Sequence, residues 1–140
     1  MKDLERFLEA QENSYQTALS EIRNGRKHTH WMWYIFPQVE GLGFSETSKY
    51  YAIKNLEEAK QYLKHEILGA RLIEIMSELL LQDTDDAHEI FGTPDNLKLH
   101  SCATLFALAD EENSNSVFQK VLDKFFNGKY DYSTVEIIEE

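Results

Sequence analysis

One cysteine, two prolines and six glycines stand among 140 residues. The lone thiol, Cys102, excludes an intramolecular disulfide and fits a reducing, cytoplasmic setting. No apolar run approaches the ~20 residues needed to cross a bilayer, so no membrane partner is expected. The opening Met1-Lys2-Asp3-Leu4-Glu5-Arg6 is charged and leads into an amphipathic pattern, unlike a signal peptide. Positive charge is short as well: 14 Lys and Arg face 25 Asp and Glu, for a net charge of −11. Such a chain repels polyanions, which argues against a nucleic-acid surface. Glycine-rich phosphate loops and paired zinc-binding motifs are missing, as are internal repeats, low-complexity stretches and dividing linkers. One domain over residues 1–140 is expected, with no cofactor implied and a monomer as the starting assumption. A domain of this length buries roughly two thirds of the surface its unfolded chain exposes.

What is present is helical periodicity. Leu4, Phe7, Leu8, Tyr15, Ala18, Leu19 and Ile22 follow one helix face over residues 3–24, and Gly25 sits where a left-handed cap belongs. Ser45 to Ile53 reads as a short helix. Asn55 followed by Glu58 predicts a capped helix through Leu63, then His65 to Ala70 a turn centred on Gly69. Arg71 to Leu81 reads as a helix with Leu72, Ile75, Met76, Leu79 and Leu80 inward. Thr84 or Asp85 opens a short helix ending at Phe91-Gly92, and Pro94 opens the next, which runs through Leu108. Ser114 or Ser116 opens another, stopped by Asn127-Gly128, and Ser133 to Glu139 forms a last turn. Tyr34-Ile35-Phe36 has strand propensity but no second strand to pair with. The expected fold class is all-α: a compact bundle of about seven helices with short loops and no significant sheet.

The densest chemistry lies in Lys27-His28-Thr29-His30-Trp31-Met32-Trp33-Tyr34-Ile35-Phe36-Pro37-Gln38, closed by Gly41-Leu42-Gly43. Aromatic rings give large contact area with few rotatable bonds, so the cluster is either core or pocket wall. Acidity lies behind it: residues 1–50 carry six Lys and Arg against seven Asp and Glu, residues 51–100 five against ten, and residues 101–140 three against eight. Arg23, Arg26 and Lys27 make a basic spot suited to one small anionic ligand or to a helix C-terminus. Together with Ala10-Gln11, His65, Leu68-Gly69, Arg71-Leu72, Ile90-Phe91-Gly92, Asp95, Lys98-Leu99, Ser101 and Thr104-Leu105-Phe106, this string resembles a bacterial family of unknown function. The resemblance covers about Leu4 to Thr134, with Glu66 where the family is expected to place proline. It implies a mainly helical domain of the kind typified by a mycobacterial member, and it implies no activity.

His28 and His30 share a face only on an extended segment, no cysteine is near, and the closest downstream carboxylate is Glu40, so no metal site is expected. Cys102 and His100, two apart on a helix, point away from each other, which reads as packing rather than a nucleophilic pair. The polar residues Lys27, His30, Gln38, Arg71, Asp95, Lys98 and Ser101 are set among apolar neighbours and need partners wherever they are buried. In a structural reading Arg71 pairs with Asp95, and Gln38 satisfies loop amides around Gly41 and Gly43. In a functional reading Trp31 or Trp33 stacks a planar ring while Lys27, His30 and Lys98 meet an anionic group, with His30 as candidate acid or base. Three classes stay open. One is a small-molecule site for an anionic, nucleotide-like ligand, for instance one cleaved at an N-glycosidic bond. The others are a protein-interaction module and an acidic, non-catalytic inhibitor. The first requires the Lys27–Gln38 segment to face a solvent-reachable hollow.

Overall fold

The computed structural model describes residues 3–111 and 116–139. Among the described residues ten helices follow one another: α1 (Glu5–Glu12), α2 (Tyr15–Arg23), α3 (Met32–Ile35), α4 (Glu46–Tyr50), α5 (Leu56–Lys64), α6 (Leu68–Leu80), α7 (Ala87–Phe91), α8 (Asp95–Ala109), α9 (Val117–Phe126) and α10 (Tyr132–Glu139). Among the described residues there is no strand, only one parallel bridge between Val39 and Ile53. The all-α expectation holds, with ten short helices in place of about seven. No helix among the described residues is long and apolar enough to cross a membrane.

The axis of the molecule is α8. Its residues 101–107 are buried without a break, and it packs against α5, α7, α9 and α10. Phe106 at its centre meets the rings of Tyr62 from α5 and Phe118 from α9. Cys102 is sealed in the same layer, where burial pushes its thiol pKa up and keeps it an inert packing group. On the far side α6 joins α2, α5 and α9.

Three local readings change, besides the last turn expected over Ser133 to Glu139, which is the eight-residue helix α10. The first predicted helix is two, broken at Asn13 and Ser14, where the Ser14 hydroxyl turns to the Tyr34 hydroxyl at 3.1 Å instead of capping α2. Asp86, rather than Thr84 or Asp85, caps α7 by accepting from the His88 N–H at 2.9 Å. And α6 begins at Leu68, ahead of the predicted Arg71, because His65 Nδ1 accepts from the Ile67 and Leu68 N–H groups at 3.1 and 3.3 Å. Other signals stand as read. Asn55 accepts from the Glu58 N–H and Ser116 from the Phe118 N–H, while Ser114 lies outside the described residues. Gly25, at φ +84°, closes α2 with two bonds, from Gly25 N to Ile22 O and from Arg26 N to Glu21 O.

Gly69 therefore sits in the first turn of α6, not in a loop, and a Cβ there would lie 2.1 Å from the Leu63 carbonyl oxygen. Backbone cannot yield as a side-chain tip can. Gly69→Ala is expected to destabilise the protein by about 2 kcal/mol or more, read as a lower urea midpoint at unchanged m-value. An unchanged midpoint would mean that α5 and α6 are not packed this closely.

Candidate functional site

Glu21, on α2, is a buried carboxylate that fixes the start of the aromatic segment. Its Oε1 accepts from the His28 N–H (2.7 Å), the Thr29 N–H (3.1 Å) and Trp31 Nε1 (2.9 Å), and its Oε2 accepts from the Thr29 hydroxyl (2.7 Å). Burial alone would raise the pKa of this group. The four donors outweigh it and hold the carboxyl at about 2. The Lys27 N–H then donates to the Ile90 carbonyl at 2.7 Å, tying the segment to α7. Trp31, only 1% exposed, is pinned in the core against Phe36 and Phe91. Two residues further along, inside the single turn of α3, Trp33 is half-buried.

Each indole carries a lysine. Lys27 Nζ lies 4.9 Å from the Trp31 ring and Lys98 Nζ lies 4.2 Å from the Trp33 ring. Asp95, in the first turn of α8, joins them: Oδ2 is 2.9 Å from Lys27 Nζ and Oδ1 is 3.3 Å from Lys98 Nζ. The ladder Trp31–Lys27–Asp95–Lys98–Trp33 runs from the core to the surface and ends in a cleft of about 330 Å³. The cleft is lined by Trp33, Gln38 and residues 39–43, by Ser48, Lys49, Tyr51 and Ala52, by Pro94, Leu97, Lys98 and Ser101, and by the corner at Asp131 and Ser133 where α10 begins.

That corner is anchored tightly. Asp131 Oδ2 accepts from the Ser101 hydroxyl (3.1 Å), the Thr134 N–H (3.1 Å) and the Thr134 hydroxyl (2.6 Å). The Asp131 N–H donates to Thr104 Oγ1 at 2.8 Å. Among the described residues no hydrogen bond falls on Asp131 Oδ1, on the Trp33 indole N–H or on the Gln38 side-chain amide, and none of these atoms is sealed from solvent. Elsewhere among the described residues every buried side-chain nitrogen or oxygen has a partner except Asn96 Oδ1. The cleft thus offers solvent-reachable hydrogen-bonding groups of both signs beside Lys98.

Of the nine residues singled out from the sequence, Trp33, Gln38, Lys98 and Ser101 line this cleft. Asp95 pairs with Lys98 and, through its other oxygen, with Lys27; Trp31 is core, and His30 is exposed and lines no part of the cleft. Two expected pairings are corrected. Arg71 does not meet Asp95, which the two lysines occupy; its Nη1 donates to Gln11 Oε1 at 3.3 Å and its guanidinium lies 5.2 Å from the Tyr15 ring centre. The Gln38 side chain makes no bond to Gly41 or Gly43. The loop is held instead by backbone, from Ile53 N to Gln38 O (2.8 Å) and Glu40 N to Ile53 O (2.7 Å). No three His, Cys, Asp or Glu side chains converge as a metal would need among the described residues. Sequence reasoning missed Asp131 and Ser133, whose only signal was the Asp-x-x-Thr spacing of an ordinary helix cap. It also missed Arg6, a buried guanidinium that donates to the carbonyls of Asp3, Tyr50 and Ala52 and so fixes the chain entering the cleft wall.

The chain belongs to the family described as a protein of unknown function (DUF1810), which it matches over residues 1–138. Among solved structures it is similar to the conserved hypothetical protein Rv1873 from Mycobacterium tuberculosis, at 43% identity and a TM-score of 0.94, over 99% of this chain and 97% of that one. Both the family resemblance and the mycobacterial likeness read from the sequence are thereby established. No curated protein matches the chain.

The depressed pKa of Glu21 has a definite sign in stability. Its ionised form is favoured in the folded state, so the contribution is complete above the ordinary value of 4.5 and is lost as pH falls toward about 2. A shift of that size corresponds to roughly 3 kcal/mol. Urea unfolding at about pH 6 and about pH 3 should show a smaller acid loss in Glu21→Gln than in the native chain. Identical losses in the two proteins would remove Glu21 as the segment's anchor.

Proposed function

We propose that the cleft beside Trp33 binds a small anionic molecule. The observation that carries this reading is Lys98: its ammonium is held over an indole and against Asp95 at the cleft, beside polar groups that lack protein partners. A positioned cation with adjacent open donors is how a pocket orients an anion, and the apolar surfaces of Val39, Leu42, Leu97 and Pro94 give the rest of a ligand its contact area. The nucleotide-like class named from the sequence falls within this reading, with binding as the common element whether or not a reaction follows. Nothing comparable favours His30 as an acid or base. The overall negative charge fits a free metabolite better than a nucleic acid, and a free, buried Cys102 fits a reducing cytoplasm.

The test is a thermal-shift screen of small phosphates and carboxylates at millimolar concentration, run on the native chain and on Lys98→Gln. A ligand at 100 times its Kd stabilises by about 2.7 kcal/mol, which such a screen resolves. At least one anion should raise the melting temperature of the native chain and lose most of that effect in the variant. Anions that stabilise both proteins equally, or none that stabilises either, would defeat the proposal.

A further inference from the structure

A nucleobase would need a ring to stack on, and the cleft is poorly supplied with one. The Trp33 face that meets Lys98 is occupied, the ammonium lying 4.2 Å from its centre. Stacking there would displace the lysine from both the ring and Asp95. The other lining ring, Tyr51, already packs against Phe7, Tyr34 and Tyr50 at centroid distances of 6.0, 5.2 and 4.9 Å.

What the cleft does hold open is hydrogen bonding of both signs. Lys98, the Trp33 indole N–H and the Gln38 amide donate, whereas Asp131 Oδ1 only accepts. Because Ser101 and Thr134 fasten Asp131 through Oδ2, its second oxygen is a fixed acceptor rather than a wandering one. A fully ionised anion has no proton to give it, but a hydroxyl does. The cleft is also compact: about 330 Å³ lies at the low end of the ~300–1,000 Å³ range of ligand sites.

We propose that the cleft recognises a small polyhydroxylated acid, a sugar phosphate or sugar carboxylate, with the acid group on Lys98 and a hydroxyl on Asp131, rather than a stacked base. This rests on the anion-site reading above and narrows it. Charge-assisted hydrogen bonds of the Asp131 kind correspond to about tenfold or more in affinity.

Calorimetric titration of the native chain with D-ribose 5-phosphate, D-gluconate, n-butyl phosphate, inorganic phosphate and AMP tests it without any variant. Either ribose 5-phosphate or gluconate should bind at least about tenfold more tightly than both n-butyl phosphate and inorganic phosphate, and which of the two does so identifies the acid. Asp131→Asn should abolish that preference while leaving n-butyl phosphate within about threefold, and Lys98→Gln should weaken every anion. Asparagine keeps an acceptor for Thr134, and a melting curve reports whether the variant is folded. If n-butyl phosphate matches the hydroxylated ligands, or AMP exceeds ribose 5-phosphate, the polyol reading falls and the anion site stands. Failure of every titrant to bind overturns both.

Discussion

The structure around the cleft depends on one buried carboxylate. The segment from Lys27 to Gln38 contains a single helical turn, α3, and an isolated turn of four residues has no stability of its own. Its order must come from outside, and Glu21 supplies it through four donors spread over His28, Thr29 and Trp31. Burying an ionised group is costly unless its lone pairs are filled, and here they are. The Trp31 indole is the decisive donor. With its N–H on Glu21 and its rings against Phe36 and Phe91, Trp31 fixes the rotation of α3, and that rotation aims Trp33 at the cleft.

Asp95 extends the constraint from core to cleft. A carboxylate shared by two ammonium groups is stabilised by both, and its place in the first turn of α8 adds the favourable end of that helix's dipole. Lys27 is the inner member, its side chain 7% exposed, and Lys98 the outer, at 21%. The inner lysine prevents Asp95 from fully neutralising the outer one. Lys98 thereby keeps part of its charge where it meets a cleft whose lining also carries Lys49, Glu40 and Asp131.

Much of the fold was readable from the sequence because helices announce themselves by period and cap. Asn55, Ser116 and Gly25 each sit where a terminus requires them, and the Phe7-to-Ile22 pattern marks the buried faces of α1 and α2 correctly. The break at Asn13–Ser14 was not readable, since the apolar phase continues across it. Gly69 was misread as a turn for want of any sign that Leu63 lies against it. The aromatic string announced a site but not its two sides: only the partner of each indole, Glu21 for Trp31 and open cleft for Trp33, separates core from wall. Arg71 and Asp95 are both polar residues among apolar ones, and charge alone cannot tell which carboxylate meets which cation. Asp131 gave no signal beyond that of a helix cap, which is the role its Oδ2 has toward Thr134.

A carboxylate has two oxygens, and in Asp131 the protein satisfies one with three donors while the other has none among the described residues. Trp31 and Trp33 repeat the same division, one indole N–H committed to Glu21 and the other without a protein partner. Gln11, in the interior, is used to the full: its amide donates to the Tyr34 carbonyl and Tyr62 hydroxyl and accepts from Arg71. Groups this firmly held yet only half satisfied are pre-organised, because their positions are fixed before any ligand arrives and little further ordering is required. Likeness to a mycobacterial protein of the same architecture carries the fold and not the chemistry. Among the described residues the interior leaves only Asn96 Oδ1 without a partner, whereas the Trp33 indole N–H and Asp131 Oδ1 have none and are not sealed from solvent.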